Sequence, residues 1–403
     1  METIAGIDLA SEEHRLVVVD AEGRRLEQRR ISHSENGISE LVRRLRLLDV
    51  ARVALERRNG LVVDRLLDAG INVVPVHPNQ LAAARDRYRS SGGKSDGFDA
   101  YVLAELARTD MHRLRLLCPD SDETRALKTL TRARDDLVNS RIALANQPRD
   151  QLHAFWPGAT AIFAEIDSPI ALCFLERYPS PDDARALGEK RLAGFLARHG
   201  YPGRRSTSQL LQRLRSAPQD RAGELETEAR RAVVLGLVAA LNPIVEQIKL
   251  LTSQIAGALD QHPDGHIFRS LFRDPKSVVT AAELAAEIGD QHERYETRAR
   301  LEARAGQSPV AIESGKKKVA SFRWACNKTL RDAVSVLADS SRKHNPWARK
   351  IYQDAIARGC DHPHPLRILG RAWLRIIWRL WQDKTPYDPA QHGNLNRLLT
   401  TEG

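Results

Sequence analysis

Five short apolar runs fall within the first 76 residues, three of them before any helical period begins, and that order restricts the fold more than any other feature. Thr3-Ile-Ala-Gly-Ile-Asp-Leu9 reads as a buried strand with one acid, Asp8, near its end. Residues 14–20 form a second strand, Ala21-Glu-Gly-Arg24 a turn, and residues 24–31 a third strand polar enough for a sheet edge. Ile38, Leu41, Val42, Leu45 and Leu48 then recur at helical period. Residues 51–56 are a fourth strand ending in an acid, a helix around 60–69 stops at Gly70, and residues 71–76 are a fifth strand. A further helix opens at Lys94-Ser-Asp-Gly-Phe-Asp-Ala100.

A meander feeding two crossovers gives a mixed sheet with helices on both faces, an α/β layer architecture. It is the order of the ribonuclease-H-like fold, in which acids of the first strand, the fourth strand and the last helix converge on divalent metal. Those positions hold Asp8, Glu56, Asp96 and Asp99. Each has a plainer reading: a turn at Asp8, a surface ion pair between Glu56 and Arg57 or Arg58, and a helix cap at Asp96 with Asp99 on the positive end of the dipole. Against these, two carboxylates three apart on a helix repel unless a cation intervenes. An acid ending an apolar strand is also costly to bury unpaired. An all-oxygen donor set favours Mg²⁺ or Mn²⁺ over zinc, and two such ions about 4 Å apart suit phosphodiester chemistry.

A chain of 403 residues exceeds one ordinary core, and three regions are expected: 1–121 as the sheet domain, 122–262 as a helical or coiled-coil arm, and 263–403 as a mainly α-helical domain. Sixty-two Lys and Arg against 52 Asp and Glu give a net charge of +10, which points to a polyanion such as nucleic acid. The four scattered cysteines suit a reducing compartment, and Cys360-Asp-His362-Pro-His364 lacks the second cluster that would close a zinc site. The chain opens on a strand without a signal peptide, and no uninterrupted apolar run of spanning length is expected. A cytoplasmic protein without a membrane partner, nucleoid-associated when bound to DNA, follows.

Residues 122–153 read as one long helix. Leu127, Leu130, Leu137 and Leu144 lie on its seam, while Arg134 and Arg141 at intervening positions suggest a surface turned to a partner or phosphate. Pro148 is expected to kink or end it. Helical period returns over 224–259, interrupted by Pro243, so an antiparallel helical pair is expected. A small-residue helix over 277–289 stops at Gly289. Ser314-Gly315 followed by Lys316, Lys317 and Lys318 reads as a flexible turn that sets a hydroxyl beside concentrated positive charge. Arg323, Asn327, Lys328 and Arg331 form a polar cluster at a helix start. Arg367, Arg371, Arg375 and Arg379 recur every fourth residue along 366–381, either as a solvated face or as a track for a nucleic-acid backbone.

Taken together, Gly6-Ile-Asp8, Leu55-Glu56, Lys94-Ser-Asp96 with Asp99-Ala100, Ala305-Gly306 with Pro309 and Ser314-Gly315, and Cys326-Asn327-Lys-Thr-Leu330-Arg331 resemble the DEDD transposases of the insertion-sequence 110 family over nearly the whole chain. Pro346-Trp347-Ala348, Arg358-Gly359 and Trp381-Gln-Asp-Lys-Thr-Pro-Tyr-Asp388 resemble its C-terminal region. The resemblance implies a RuvC-like catalytic domain, a helical arm and a C-terminal transposase domain. It implies a DNA recombinase, acting as a homo-oligomer (dimer or tetramer), that excises and inserts its element. Ser314 would be the nucleophile, Asp8, Glu56, Asp96 and Asp99 the metal ligands, and a structured RNA encoded by the element the guide to donor and target DNA. Two other readings stand beside it: a junction-resolving, metal-dependent endonuclease in which Ser314 is incidental, and an inactive nucleic-acid-binding derivative. One departure is Leu271-Phe-Arg-Asp-Pro275, where relatives carry a Pro-Gly hairpin.

Overall fold

The computed structural model describes residues 2–88, 95–218, 223–314 and 317–401, and the chain divides into two compact units, Met1–Pro119 and Asp120–Gly403. In the first, β1 (Thr3–Asp8), β2 (Glu13–Val19) and β3 (Arg25–Ser32) form the meander, followed by α1 (Glu35–Leu47), β4 (Val50–Leu55), α2 (Leu61–Asp68), β5 (Val73–Pro75), α3 (Pro78–Tyr88) and α4 (Asp96–Thr109). The strand order is β3-β2-β1-β4-β5, with β1, β4 and β5 parallel and the meander antiparallel, as the ribonuclease-H-like reading requires. β3 is a largely exposed edge, as its polarity predicts.

Strand alternation sorts the core into two layers. Ala5, Ile7, Leu16, Val18, Val53 and Leu55 meet α1 and α2, while Ile4, Val17, Val19, Ala54 and Val74 meet α3 and α4. Gly6 decides how closely α4 can lie: a Cβ there would stand 2.0 Å from the Ala100 carbonyl oxygen and 2.5 Å from the Ala104 nitrogen. Only glycine admits the helix backbone at that distance.

The second unit is built on α5 (Asp122–Phe155) and, after the short helices α6 (Pro157–Ile162), α7 (Pro169–Arg177), α8 (Glu189–Arg198) and α9 (Thr207–Ser216), on α10 (Glu224–Gln261). Leu127 shares a core with Ile255 and Leu259, and Ala145 and Leu152 share another with Val234, Val238 and Leu241, so α5 and α10 run antiparallel. Pro148 lies buried inside α5, which continues to Phe155, and α10 likewise carries Pro243. Packing on both sides holds these helices through a residue that removes one backbone bond. The seam arginines turn inward rather than toward a partner: Arg134 Nε donates to Thr252 Oγ1 at 2.9 Å, and Arg141 pairs with Asp167 at 3.1 Å. α10 is long and apolar enough to cross a membrane by length and composition, although Glu246 and Lys249 interrupt its apolar run. Its Val234, Val238, Leu241, Val245 and Ile248 are buried in the fold at helical spacing.

The chain then forms α11 (Gly265–Arg269), α12 (Val278–Ile288), α13 (Arg298–Arg304), the hairpin β6 (Val310–Ser314) and β7 (Lys317–Ser321), α14 (Lys328–His344), α15 (Pro346–Ala357), α16 (Pro363–Asp383) and α17 (Gly393–Thr401). Gly289 ends α12 at φ 86°, a left-handed stop. Three acids sit among these helices. Glu287, fully buried, pairs with Arg132 at 2.8 Å and Lys128 at 3.5 Å and accepts from Asn327 Nδ2. Glu302 receives Arg371 and Arg375 of α16 at 2.5 and 3.0 Å.

Glu283 has a different environment. Burial, and then the facing Asp135 carboxylate, push its carboxyl up to about 8 against the offset of Arg134, with Asp332 adding to the rise. The proton stays on Glu283 and is donated to Asp135. A carboxyl raised in the fold stabilises below its unfolded value and loses that contribution as pH climbs through its folded value. Melting temperature is therefore expected to fall as pH rises from the ordinary 4.5 to about 8. Glu283→Gln should flatten that slope in scanning calorimetry; a slope unchanged by the substitution contradicts the assignment.

Candidate active site

The β1–β4 register pairs Ala5 with Val53 and Gly6 with Ala54, so continuing it by two residues sets Asp8 level with Glu56. Both follow Gly6 and Ala54 by two positions and share their face, the one α4 covers. Close packing at Gly6 brings the first turn of α4 to the same end of the sheet. Its cap is Ser95, whose Oγ accepts from Phe98 N at 3.3 Å, so the capping reading of Asp96 is displaced by one residue. Asp96 is the first helical residue and exposed, whereas Asp99 is 2% exposed.

A residue that sequence reasoning did not identify stands among these acids. Arg85 of α3 donates Nε to Asp99 Oδ1 at 2.5 Å and Nη2 to Oδ2 at 2.7 Å. Its guanidinium is held above the usual range first by that bond, and Glu56 and Asp8 add to the rise. Asp8, Glu56 and Asp99 thus act on one point of positive charge. In sequence, Arg85 looks like any basic residue in the last turn of a helix. Its role comes from the packing of α3 on α4.

The donor chemistry of the four acids fits a hard divalent cation, since every atom they offer is a carboxylate oxygen. Among the described residues, no three Asp, Glu, His or Cys side chains are gathered closely enough to enclose an ion. Asp99 already faces Arg85 and Asp96 faces outward.

In the second unit, Ser314 is exposed and closes β6, paired in register with Lys317. Of the segment expected as a flexible turn, Ser314, Lys317 and Lys318 belong to the strands of a β-ribbon. Its alternation is short, and its strands stay mostly exposed, which hid them from a pattern search. Lys94, Gly315 and Lys316 lie outside the described residues, as do the side chains of Lys317 and Lys318. Asn327 caps α14, its Oδ1 accepting from Leu330 N while its Nδ2 donates to Glu287. Arg331 donates to the Arg323 carbonyl, and Lys328 is exposed. Of the α16 arginines, Arg371 and Arg375 pair with Glu302 and Arg379 with Asp383. Arg367 instead lies over the Phe322 ring at 5.1 Å.

Comparison with known proteins agrees in both units. Residues 5–157 match a transposase family of DEDD type named for IS110, and residues 277–353 match the "Transposase IS116/IS110/IS902 family". The chain is 30% identical over 395 residues to the "Mini-circle putative transposase for IS117" of Streptomyces coelicolor, covering 95% of this chain and 94% of that one. It is 27% identical to the IS116 44.8 kDa protein of Streptomyces clavuligerus, over 96% of each chain. It is also 28% identical to the IS110 43.6 kDa protein of Streptomyces coelicolor, over 80% of this chain and 78% of that one.

Proposed function

The chain belongs to the IS110 family of DEDD transposases, and from that premise we propose that it excises and inserts its element by serine-mediated strand exchange. Transposase function for such an element and a DNA substrate come with the family. The nucleophile is Ser314. Its Oγ forms an ester with the scissile phosphorus as the bond to the leaving deoxyribose oxygen breaks, and the serine proton leaves with that oxygen's departure as a hydroxyl. A serine hydroxyl is a weak nucleophile that needs activation. Asp8, Glu56, Asp96 and Asp99 would hold Mg²⁺ or Mn²⁺, which supplies charge neutralisation at the phosphate and at a developing alkoxide. The convergence of Asp8, Glu56 and Asp99 on Arg85 carries this reading, because it marks a point where the fold draws in positive charge.

Lys316, Lys317, Lys318 and Lys328 serve as phosphate contacts, which position a duplex without reading it. Base pairing by a structured RNA encoded by the element supplies sequence choice. The protein works as a homo-oligomer on DNA in the cytoplasm, with Ser314 of one copy acting beside the acids of another.

The decisive experiment incubates protein, element RNA, Mg²⁺ and DNA, then resolves covalent protein–DNA adducts on denaturing gels. Ser314→Ala is expected to abolish the adduct. Cleavage surviving in Ser314→Ala but lost in Asp96→Ala would mean a junction-type nuclease instead. Mixing Ser314→Ala with Asp8→Ala protein should restore part of the activity if the site is shared between copies.

A further inference from the structure

The C-terminal unit holds a cavity of about 690 Å³ between the residues flanking the β6–β7 hairpin and helices α15 and α16. Gln307 lines it, is 4% exposed, and neither of its amide atoms has a hydrogen-bond partner among the described residues. A buried amide left without partners costs free energy comparable to a lost hydrogen bond, so it calls for a ligand or a reason. It lies against Gly370 of α16, where an added Cβ would come 3.3 Å from its Cδ and Oε1. A side-chain amide offers a donor and an acceptor side by side, which is the pattern that pairs with the edge of a nucleobase.

The rest of the wall suits the same ligand. Arg323, Arg358 and Arg367 line the cavity, and they are not among the arginines that Glu302 neutralises. Arg367 and Arg331 lie over the Phe322 ring with guanidinium carbons at 5.1 and 4.5 Å from its centre. Two like charges share one aromatic there, and burial together with Arg331 lowers the Arg367 pKa, so an anion is favoured beside them. Outside the lining, Trp324 meets the wall residue Phe322 edge to face at 4.8 Å and is 77% exposed, an uncovered indole next to the cavity's aromatic. Aromatic and guanidinium planes stack on unpaired bases whatever the sequence.

We propose that this cavity takes an unpaired nucleotide of a bound nucleic-acid strand, with Gln307 on the base edge, Arg367 and Trp324 as stacking surfaces, and Arg323 and Arg358 on the phosphates. None of its lining residues is among those assigned to strand cleavage, and all belong to the second unit. The bound strand is DNA or RNA, and the two share this chemistry.

The test is equilibrium binding by fluorescence anisotropy, so its outcome is independent of whether Ser314 is a nucleophile. Full-length protein is titrated into labelled single strands of about twelve nucleotides, as DNA and as RNA, each with and without abasic positions. Wild-type protein should bind a base-bearing strand about tenfold more tightly than the abasic one, the factor expected for one stacked, edge-read base. Gln307→Met should erase most of that difference while leaving melting temperature equal or higher, because it removes an unpartnered buried amide. Base dependence in the DNA or the RNA series sustains the proposal and identifies the strand. Its absence in both, or its persistence in Gln307→Met, overturns it. If Gln307→Met fails to fold, Arg367→Met asks the same question from the stacking side, and unchanged base dependence there equally overturns the assignment.

Discussion

A Gly6→Ala protein is expected to lose about 3 kcal/mol of stability in its first unit and all strand cleavage with it. The added methyl would stand 2.0 and 2.5 Å from backbone atoms of α4, which have no rotamer to change. Either α4 lifts off the sheet or β1 bends. Each response moves Asp96 and Asp99 away from Asp8 and Glu56. Urea unfolding of the two proteins measures the loss, and Gly194→Ala serves as the control. Gly194 lies inside α8 with nothing within 4 Å of an added Cβ, so alanine there should be neutral or stabilising by up to about 1 kcal/mol. Equal stability for Gly6→Ala and wild type would mean that α4 does not depend on this contact.

The second large effect lies at Glu287. Burial works to raise its carboxyl, yet the Arg132 bond, Lys128 and Asn327 outweigh that and hold it below the ordinary carboxylate range. Glu287→Ala would leave Arg132 and Lys128 facing each other without a counter-charge and free the amide of the α14 cap. Arg132 is half exposed and can regain water, so the cost is about 1–3 kcal/mol, less than for a pair buried on both sides. The expected result is a shift of that size in the denaturant midpoint of the second unit. Glu287→Gln, which keeps an acceptor for Asn327, should fall between it and wild type. A substitution that leaves the midpoint unmoved would show that the cluster is already hydrated.

The α/β order of the first unit was legible because its strands are apolar in the right alternation and its breaks are marked by Gly23, Gly60 and Gly70, all at positive φ. Asp8 and Glu56 could be aligned from sequence because parallel register fixes residues at equal distance along neighbouring strands. Arg85 could not, since a guanidinium reaches its partner through the packing of two helices that the sequence does not relate. Glu302 was hidden for a similar reason: the arginines it serves lie 69 and 73 residues downstream. The stripe Arg367, Arg371, Arg375 and Arg379 is periodic, yet its members meet different fates: Arg371 and Arg375 share Glu302, Arg379 pairs with Asp383 and Arg367 lies over Phe322. The β6–β7 ribbon escaped because neither strand buries a face, and burial is what makes strand alternation visible.

Arg85 has a bearing on how the first unit comes together. Asp99 is buried, and without a counter-charge its carboxylate would weigh against the docking of α4. The guanidinium from α3 provides that charge within the chain itself, so folding need not wait on an ion from solution. Were the acids to take Mg²⁺ as proposed, that ion would displace a guanidinium already in place rather than fill a bare hole. The arginine side chain sets the threshold that an incoming ion has to exceed.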